Sequence, residues 1–93
     1  MKVVNFKKFE MYEDISQTRT ISVDVRQEFA DNLYKQGHGI EALDLAMRIY
    51  KTDGPVEFNK HEFAVLEEFV QFGTPRFIES FKINVHDIGP DGM

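Results

Sequence analysis

Paired start and stop signals for helices dominate the sequence from position 24 to position 75. Asp24 stands three residues before Gln27, which is the capping-box spacing in which each side chain bonds the backbone N–H of the other residue. An apolar stripe follows, and Gly37 suits the left-handed position that ends many helices. These signals predict a first helix that begins at Asp24 and ends just before Gly37.

Two later segments carry the same kinds of signal. Asn59 and Glu62 repeat the capping-box spacing, and Gly73 follows the apolar residues as a stop signal. Thr74 then precedes Pro75, and proline favours the first position of a helix because its missing N–H would be unpaired there anyway. The sequence therefore predicts a third helix from Asn59 to Gly73 and a fourth helix from Thr74. The apolar side chains of the fourth helix are Phe77, Ile78 and Phe81.

The segment between the first and third helices is apolar on most of its circumference. It begins at His38 or Gly39 and runs to about Lys51. A helix of this kind packs against neighbours on several sides, so we predict it to be the central helix of the domain. Asp44 and Arg48 are spaced to form an ion pair along it. Its apolar faces consist of Ile40, Leu43, Met47 and Tyr50 on one side and of Ala42, Leu45, Ala46 and Ile49 on the other.

Alternating apolar residues predict β-strands before the first helix. Residues 3–12 are typical of one strand, in which a β-bulge at Lys7 and Lys8 would return all the apolar side chains to one face. Residues 18–23 alternate in the same way, and the two strands form an antiparallel hairpin. Residues 56–58 have room for a short third strand only.

These elements define an α+β fold in which an N-terminal antiparallel β-hairpin, with the short third strand as an addition, packs on four helices. We predict a single domain over residues 1–86, because 93 residues are enough for one modest hydrophobic core. The glycine- and proline-containing end of the sequence predicts a flexible C-terminal tail over residues 87–93.

Composition narrows the classes of partner. Sixteen acidic and 11 basic residues give a net charge of −5, which argues against a nucleic acid, since binding to phosphates depends on clustered Lys and Arg. The sequence contains no cysteine, which excludes disulfides and thiolate metal sites. It shows neither the apolar run of a signal peptide nor about 20 apolar residues that could span a membrane. We therefore predict a cytoplasmic protein without a membrane or nucleic-acid partner.

Two segments resemble metal-binding motifs without meeting their requirements. Residues 51–63 have the order of a calcium loop, but placing Gly54 at its sixth position puts apolar and basic side chains where the oxygen ligands belong. His61 and Glu62 begin like a zinc-protease helix, but Val65 stands where the second histidine is required. The sequence thus predicts no catalytic residue, no cofactor-binding residue and no metal ligand.

Nine Phe and three Tyr are more aromatic residues than the predicted stripes need. Tyr12 and Phe72 fit those stripes least well. If both are exposed, they form an apolar patch of the kind that marks partner surfaces, so Tyr12 and Phe72 are the candidate interaction surface. The edge of the hairpin also offers strand addition to another chain. These features favour a non-enzymatic protein-interaction or assembly module, which binds a protein partner or a second copy of itself.

A small enzyme with a dispersed His/carboxylate site is the alternative function. Active sites assemble from residues that are distant in sequence, so the lack of a motif does not exclude one. Such a site would be built from His38, His61 or His86 together with neighbouring carboxylates. It requires a concave pocket in which at least two of these groups lie within hydrogen-bonding reach.

Three segments resemble small proteins encoded by phages and prophages. Residues 24–34 share an Asp-Val helix start that ends in Leu-Tyr, residues 42–50 share a Leu-Ala-x-x-Ile-Tyr helix, and residues 55–63 share a short β turn that opens another helix. The likeness covers residues 3–72. It implies an accessory phage or prophage protein of unknown function, and it carries over no functional residue. On this likeness alone, a nucleic-acid regulator is a third hypothesis, which requires a basic face.

Overall fold

The computed structural model describes residues 1–88, which form two antiparallel sheets and four helices. The predicted α+β fold, with an N-terminal hairpin and four helices, is confirmed. In chain order the elements are β1 (Lys2–Asn5), β2 (Phe9–Tyr12), β3 (Thr20–Val23), α1 (Arg26–Gln36), α2 (Gly39–Lys51), β4 (Pro55–Phe58), α3 (Lys60–Val70), α4 (Pro75–Ile83) and β5 (Val85–Asp87).

The first predicted strand is divided into two strands that belong to different sheets. At the break, the side-chain oxygen of Asn5 accepts hydrogen bonds from the backbone N–H groups of Lys7 and Lys8, both at 3.0 Å. This turn replaces the predicted β-bulge, because the chain leaves one sheet there and enters the other. The turn still directs the flanking apolar side chains inward, and three of them are completely buried: Val4, Phe6 and Phe9.

β1 is the central strand of a three-stranded sheet with the order β4-β1-β5. Val4 lies opposite Val56 of β4 on one side and opposite Val85 of β5 on the other. The predicted third strand therefore exists, but it pairs with β1 and not with the hairpin. The hairpin itself consists of β2 and β3, with Met11 opposite Ile21.

The described chain ends in a strand that pairs with the N-terminus. In β5, His86 lies opposite Val3 and Asp87 lies opposite Lys2, whose Nζ donates to the Asp87 carboxylate at 2.9 Å. Asp87, which the sequence assigned to the flexible tail, is thus part of the sheet. Residues 89–93 of the predicted tail lie outside the described residues.

Helix caps follow the sequence signals at α3 and α4 and depart from them at α1. Asn59 Oδ1 accepts from the Glu62 N–H at 2.8 Å, and the Glu62 carboxylate accepts from the Asn59 N–H at 2.9 Å, so that capping box is confirmed. Thr74 caps α4 as predicted. At α1 the Asp24 carboxylate instead accepts from the backbone and the guanidinium of Arg26, so the capping box predicted there is wrong.

Phenylalanine rings fill the core between the sheets and the helices. The ring centroids of Phe6 and Phe29 lie 4.9 Å apart, and those of Phe9 and Phe77 lie 5.2 Å apart. Such ring contacts add to the stability that apolar burial provides. Eight of the nine Phe belong to the core or pack against it, and Phe72 is the exception. Most of the phenylalanines that exceeded the needs of the predicted stripes therefore belong to the core or pack against it.

α2 lies at the side of the domain, so the prediction of a central helix is wrong. It packs closely on α1, because a Cβ added to Gly37 would lie only 2.7 Å from the Cβ of Ala42. Only one of its two apolar faces is buried, and that face consists of Ala42, Leu45, Ala46 and Ile49.

Candidate interaction surface

Four large apolar side chains are exposed along the other face of α2. Ile40 is 76% exposed, Leu43 37%, Met47 42% and Tyr50 52%. Their spacing of three, four and three residues places them in one row along the helix, which we call the α2 stripe. Single exposed apolar residues are common, but a continuous row marks a surface to which another apolar surface binds.

Burial of its apolar face orients α2, and two polar contacts with α3 agree with that orientation. Arg48 donates to both carboxylate oxygens of Glu62, at 3.1 and 2.7 Å, and to the backbone carbonyl of Glu57 at 3.2 Å. Two turns earlier, the Glu41 carboxylate lies 2.7 Å from His61 Nε2. Both pairs lie on the side of α2 between its buried face and the α2 stripe. Rotating the helix to bury the stripe would therefore break them.

Arg48 takes Glu62 as its hydrogen-bond partner in place of Asp44, which the sequence had suggested. Glu62 is already held by its cap to Asn59, so less side-chain entropy is lost when the pair forms. The hydrogen bonds from Arg48 lower the pKa of the Glu62 carboxyl, while partial burial raises it and the Asn59 N–H lowers it further. The net effect is a lowered pKa.

We expect Glu62→Gln to lower the free energy of unfolding by about 1 kcal/mol at neutral pH, because glutamine keeps the cap but loses the charge that pairs with Arg48. A carboxylate with a lowered pKa stabilises the fold above its unfolded pKa of about 4.3, and this stabilisation is lost as the pH falls through the folded value. The difference between wild type and variant should therefore shrink as the pH falls below about 4.3 and vanish once the Glu62 carboxyl is protonated in the folded protein. Urea denaturation of both proteins at several pH values measures this difference in the free energy of unfolding. A difference that does not change with pH would show that it does not come from the charge of Glu62.

The two aromatic residues singled out from the sequence differ in exposure. Phe72 is 82% exposed directly after α3, whereas Tyr12 is partly buried in β2. Arg76 connects their surroundings, since its Nε donates to the Tyr12 carbonyl at 2.6 Å and its side chain lines the groove that Phe72 borders. The structure thus brings the two neighbourhoods together but presents only Phe72 to solvent as a large apolar side chain.

A groove of about 380 Å³ lies beside Phe72, between α1, the end of α3 and the start of α4. Exposed charged residues on its border include Glu28 and Arg76. A recess of this volume accommodates a small ligand or one anchoring side chain of a partner. Its apolar lining includes Met11, Phe29, Phe69 and Phe77.

The three histidines lie on three different parts of the fold, and all three are exposed. His38 precedes α2, His61 is in α3 and pairs with Glu41, and His86 is in β5. Within residues 1–88, no group of three or more His, Cys, Asp or Glu side chains is arranged to hold a metal ion. His61 and Glu41 lie within hydrogen-bonding reach, as the enzyme alternative requires, but neither residue lines the groove beside Phe72, and the alternative stays a prediction.

Sequence reasoning missed the α2 stripe because it assigned both apolar faces of α2 to the core. One signal distinguishes the faces. The buried face contains Ala42 and Ala46 and lies against Gly37, and small residues permit the close helix packing that a dense core requires. The stripe contains only large side chains, at the spacing of positions that meet a second helix.

No protein-family model matches the chain, and neither a curated protein nor a solved structure matches it. Over residues 1–88, none of the helices combines the length and the apolar content needed to cross a membrane. The resemblance to phage and prophage proteins stays a prediction, and function is inferred from the surface chemistry of the chain.

Proposed function

We propose that this protein is a non-enzymatic assembly module that self-associates through the α2 stripe. The observation that carries this proposal is the row of four exposed apolar side chains on a helix whose orientation is set by its buried face and by contacts of Arg48 and Glu41 with α3. Removing apolar area from water is favourable by about 25 cal/mol per Å². A rigid helix loses little conformational freedom when it docks, so the main cost that opposes this gain is the lost translational and rotational freedom of the two copies.

The spacing of the α2 stripe supports a second copy as the partner. Its residues are separated by three, four and three positions, and this order is the same when the helix is followed in either direction. Two α2 helices packed antiparallel about a two-fold axis therefore place Ile40 opposite Tyr50 and Leu43 opposite Met47 of the second copy. Every residue of the stripe gains an apolar partner in this arrangement.

Net charge works against the contact and offers a further test. Each copy carries a charge of −5, so two copies repel each other at long range. Salt screens this repulsion, with a Debye length of about 10 Å at 0.1 M. Self-association should therefore strengthen as the salt concentration rises, whereas an assembly based on ion pairs would weaken.

We expect wild type to form dimers and Leu43→Ser combined with Met47→Ser to raise the dimer dissociation constant at least about 100-fold. Each buried apolar side chain contributes about 1.5–3 kcal/mol, and 1.4 kcal/mol corresponds to a factor of ten. Sedimentation equilibrium over a range of protein and salt concentrations measures the constant. Far-UV circular dichroism checks that the double variant is folded, which is expected because both side chains are already exposed.

Ile15→Ser is the matched control, because it removes an exposed apolar side chain outside the α2 stripe. It should leave the dissociation constant unchanged. A wild type that stays monomeric up to about 1 mM at high salt, where even about −4 kcal/mol of association would be detected, would refute the proposal. So would a double variant that associates as tightly as wild type.

The cellular setting is part of the same proposal. The sequence resemblance supports an accessory protein of a phage or prophage that acts in the cytoplasm. Genes that flank the coding sequence test this origin, because a phage or prophage protein should lie among other phage genes. A neighbourhood of ordinary chromosomal genes in several hosts would contradict it.

A further inference from the structure

The two edges of the hairpin have different surroundings. Along β2, Asn84 accepts from the Glu10 N–H and donates to the Glu10 carbonyl, both at 2.8 Å. Ser80 Oγ accepts from the Tyr12 N–H at 3.0 Å, and Arg76 Nε donates to the Tyr12 carbonyl at 2.6 Å. α4 thus places a polar side chain at every fourth residue against β2, where another strand would otherwise pair.

The outer edge of β3 lacks this cover within residues 1–88, since its sheet contains only β2 and β3. Alternate residues of a strand direct their backbone groups to opposite edges. Glu10 and Tyr12 direct theirs to α4, so their cross-strand partners Ser22 and Thr20 direct theirs away from the hairpin. Both partners and the intervening Ile21 are exposed. The edge also lacks the proline, lysine and bulge that protect other edge strands.

We infer that β3 pairs with β3 of a second copy, antiparallel about a two-fold axis, to give a four-stranded sheet in the order β2-β3-β3-β2. In the register that uses the free backbone groups, Thr20 lies opposite Ser22 and Ile21 lies opposite Ile21 of the other copy. Thr20 and Ser22 of each copy then exchange N–H···O bonds with their partners. The pairing uses groups that neither the hairpin nor α4 occupies.

The side chains of β3 support a second copy as the occupant. Ile21 shares its face of the hairpin with Met11 and Val23, which pack against the core, yet it is still 41% exposed. Placing Ile21 against its own copy covers this residual apolar surface. Neither Thr20 nor Ser22 is charged, so self-pairing opposes no like charges in the strand. An extended segment that fits this edge needs a central apolar residue between small polar residues, and β3 is such a segment.

This interface is separate from the α2 stripe and stands without it. If both interfaces form, each copy has two different two-fold contacts, and these extend into an assembly larger than a dimer. That consequence rests on the proposed function, whereas the pairing of β3 does not. Each interface can therefore be removed while the other is measured.

Single cysteine variants test the register, because the chain contains no other cysteine. Opposed Cβ atoms in an antiparallel pair lie about 4.5–5.5 Å apart, close enough for a disulfide after a small adjustment. Under mild oxidation, Ile21→Cys should give a covalent dimer on a non-reducing gel. Ser22→Cys should not, because its two copies would be diagonal neighbours about 7–8 Å apart.

Ile15→Cys measures random collision, since Ile15 is 98% exposed at the tip of the hairpin loop. We expect Ile21→Cys to cross-link at least about tenfold faster than Ile15→Cys, and also in the background of Leu43→Ser and Met47→Ser. Equal rates would refute the pairing of β3. Loss of the cross-link in that background alone would show that the α2 stripe, and not β3, brings the copies together.

Amide hydrogen exchange of the wild type tests the same inference without a substitution. Pairing of β3 protects the N–H groups of Thr20 and Ser22, which are otherwise open to solvent. Their exchange should slow as the protein concentration rises, while exchange of the Gln17 N–H in the hairpin loop stays constant. Exchange at Thr20 and Ser22 that is independent of concentration would overturn the inference even if a cysteine variant fails to fold.

Discussion

Replacement of Asn84 by leucine is expected to lower the free energy of unfolding by about 3 kcal/mol, although leucine is the more apolar residue for a buried position. Asn84 is buried at the end of α4, and its amide satisfies both backbone groups of Glu10 in β2. Leucine fills the volume but leaves these two groups unpaired. Each unpaired buried group costs about 1–3 kcal/mol, so the two groups together account for the expected loss.

Urea denaturation of Asn84→Leu measures this loss, and Lys82→Leu is the matched control. Lys82 is exposed on the same helix and forms a surface pair with Glu79, so its replacement should change stability by less than about 1 kcal/mol. Equal stability of Asn84→Leu and Lys82→Leu would show that α4 does not close the edge of β2.

Gly37→Ala is expected to destabilise the protein by about 2 kcal/mol. Gly37 has a φ of −74° and a ψ of 166°, an extended conformation that alanine adopts freely. On backbone entropy alone the substitution would stabilise by about 0.4–1 kcal/mol. The sign is reversed by crowding, because the new Cβ would lie 2.5 Å from the carbonyl oxygen of Leu33 and 2.7 Å from the Cβ of Ala42.

Gly73→Ala is the control for this prediction, since the new Cβ would lie 3.2 Å from the nearest atom, the carbonyl oxygen of Val70. That distance requires a shift of only a few tenths of an ångström, so the change in stability should be smaller than at Gly37. Thermal and urea unfolding of both variants measure the difference. If Gly37→Ala were more stable than wild type, the Leu33 carbonyl and Ala42 would both have to lie farther from residue 37 than described.

The helix end predicted at Gly37 is correct, but the conformation on which that prediction rested is wrong. The sequence predicted a helix end there from the left-handed conformation that glycine favours, and α1 does end at Gln36. The observed backbone at Gly37 is extended, however, and the missing side chain matters because the Leu33 carbonyl of α1 and the Cβ of Ala42 in α2 both lie too close for another Cβ. A local pattern contains the identity of the residue but not the position of the helix that will cross it.

The division of the first strand has a similar explanation. Alternation in residues 3–12 required a change of parity at Lys7 and Lys8, and a bulge and a turn satisfy that requirement equally well. The structure has the turn because β1 gains partners on both sides from β4 and β5, which lie 50 or more residues later in the chain. Nothing within the strand itself distinguishes these outcomes.

The candidate site was the least predictable part of the molecule. Phe72 was correctly singled out as a residue without a place in the core, whereas Tyr12 is partly buried and the α2 stripe was assigned to the interior. Apolar periodicity identifies the faces of a helix that avoid water in some assembly. It does not distinguish a face buried by the same chain from a face available to a second chain.

The sequence by itself determined the local features: the caps of α3 and α4, the alternation that makes the hairpin, and the α+β class. Each depends on groups a few residues apart, such as Asn59 and Glu62, so it is encoded within one segment. Only the tertiary structure decided which face of α2 is buried, which strands flank β1 and which edge of the hairpin stays open. These outcomes depend on contacts such as the one from Glu10 to Asn84, 74 positions apart, whose formation requires the whole chain to fold around one core.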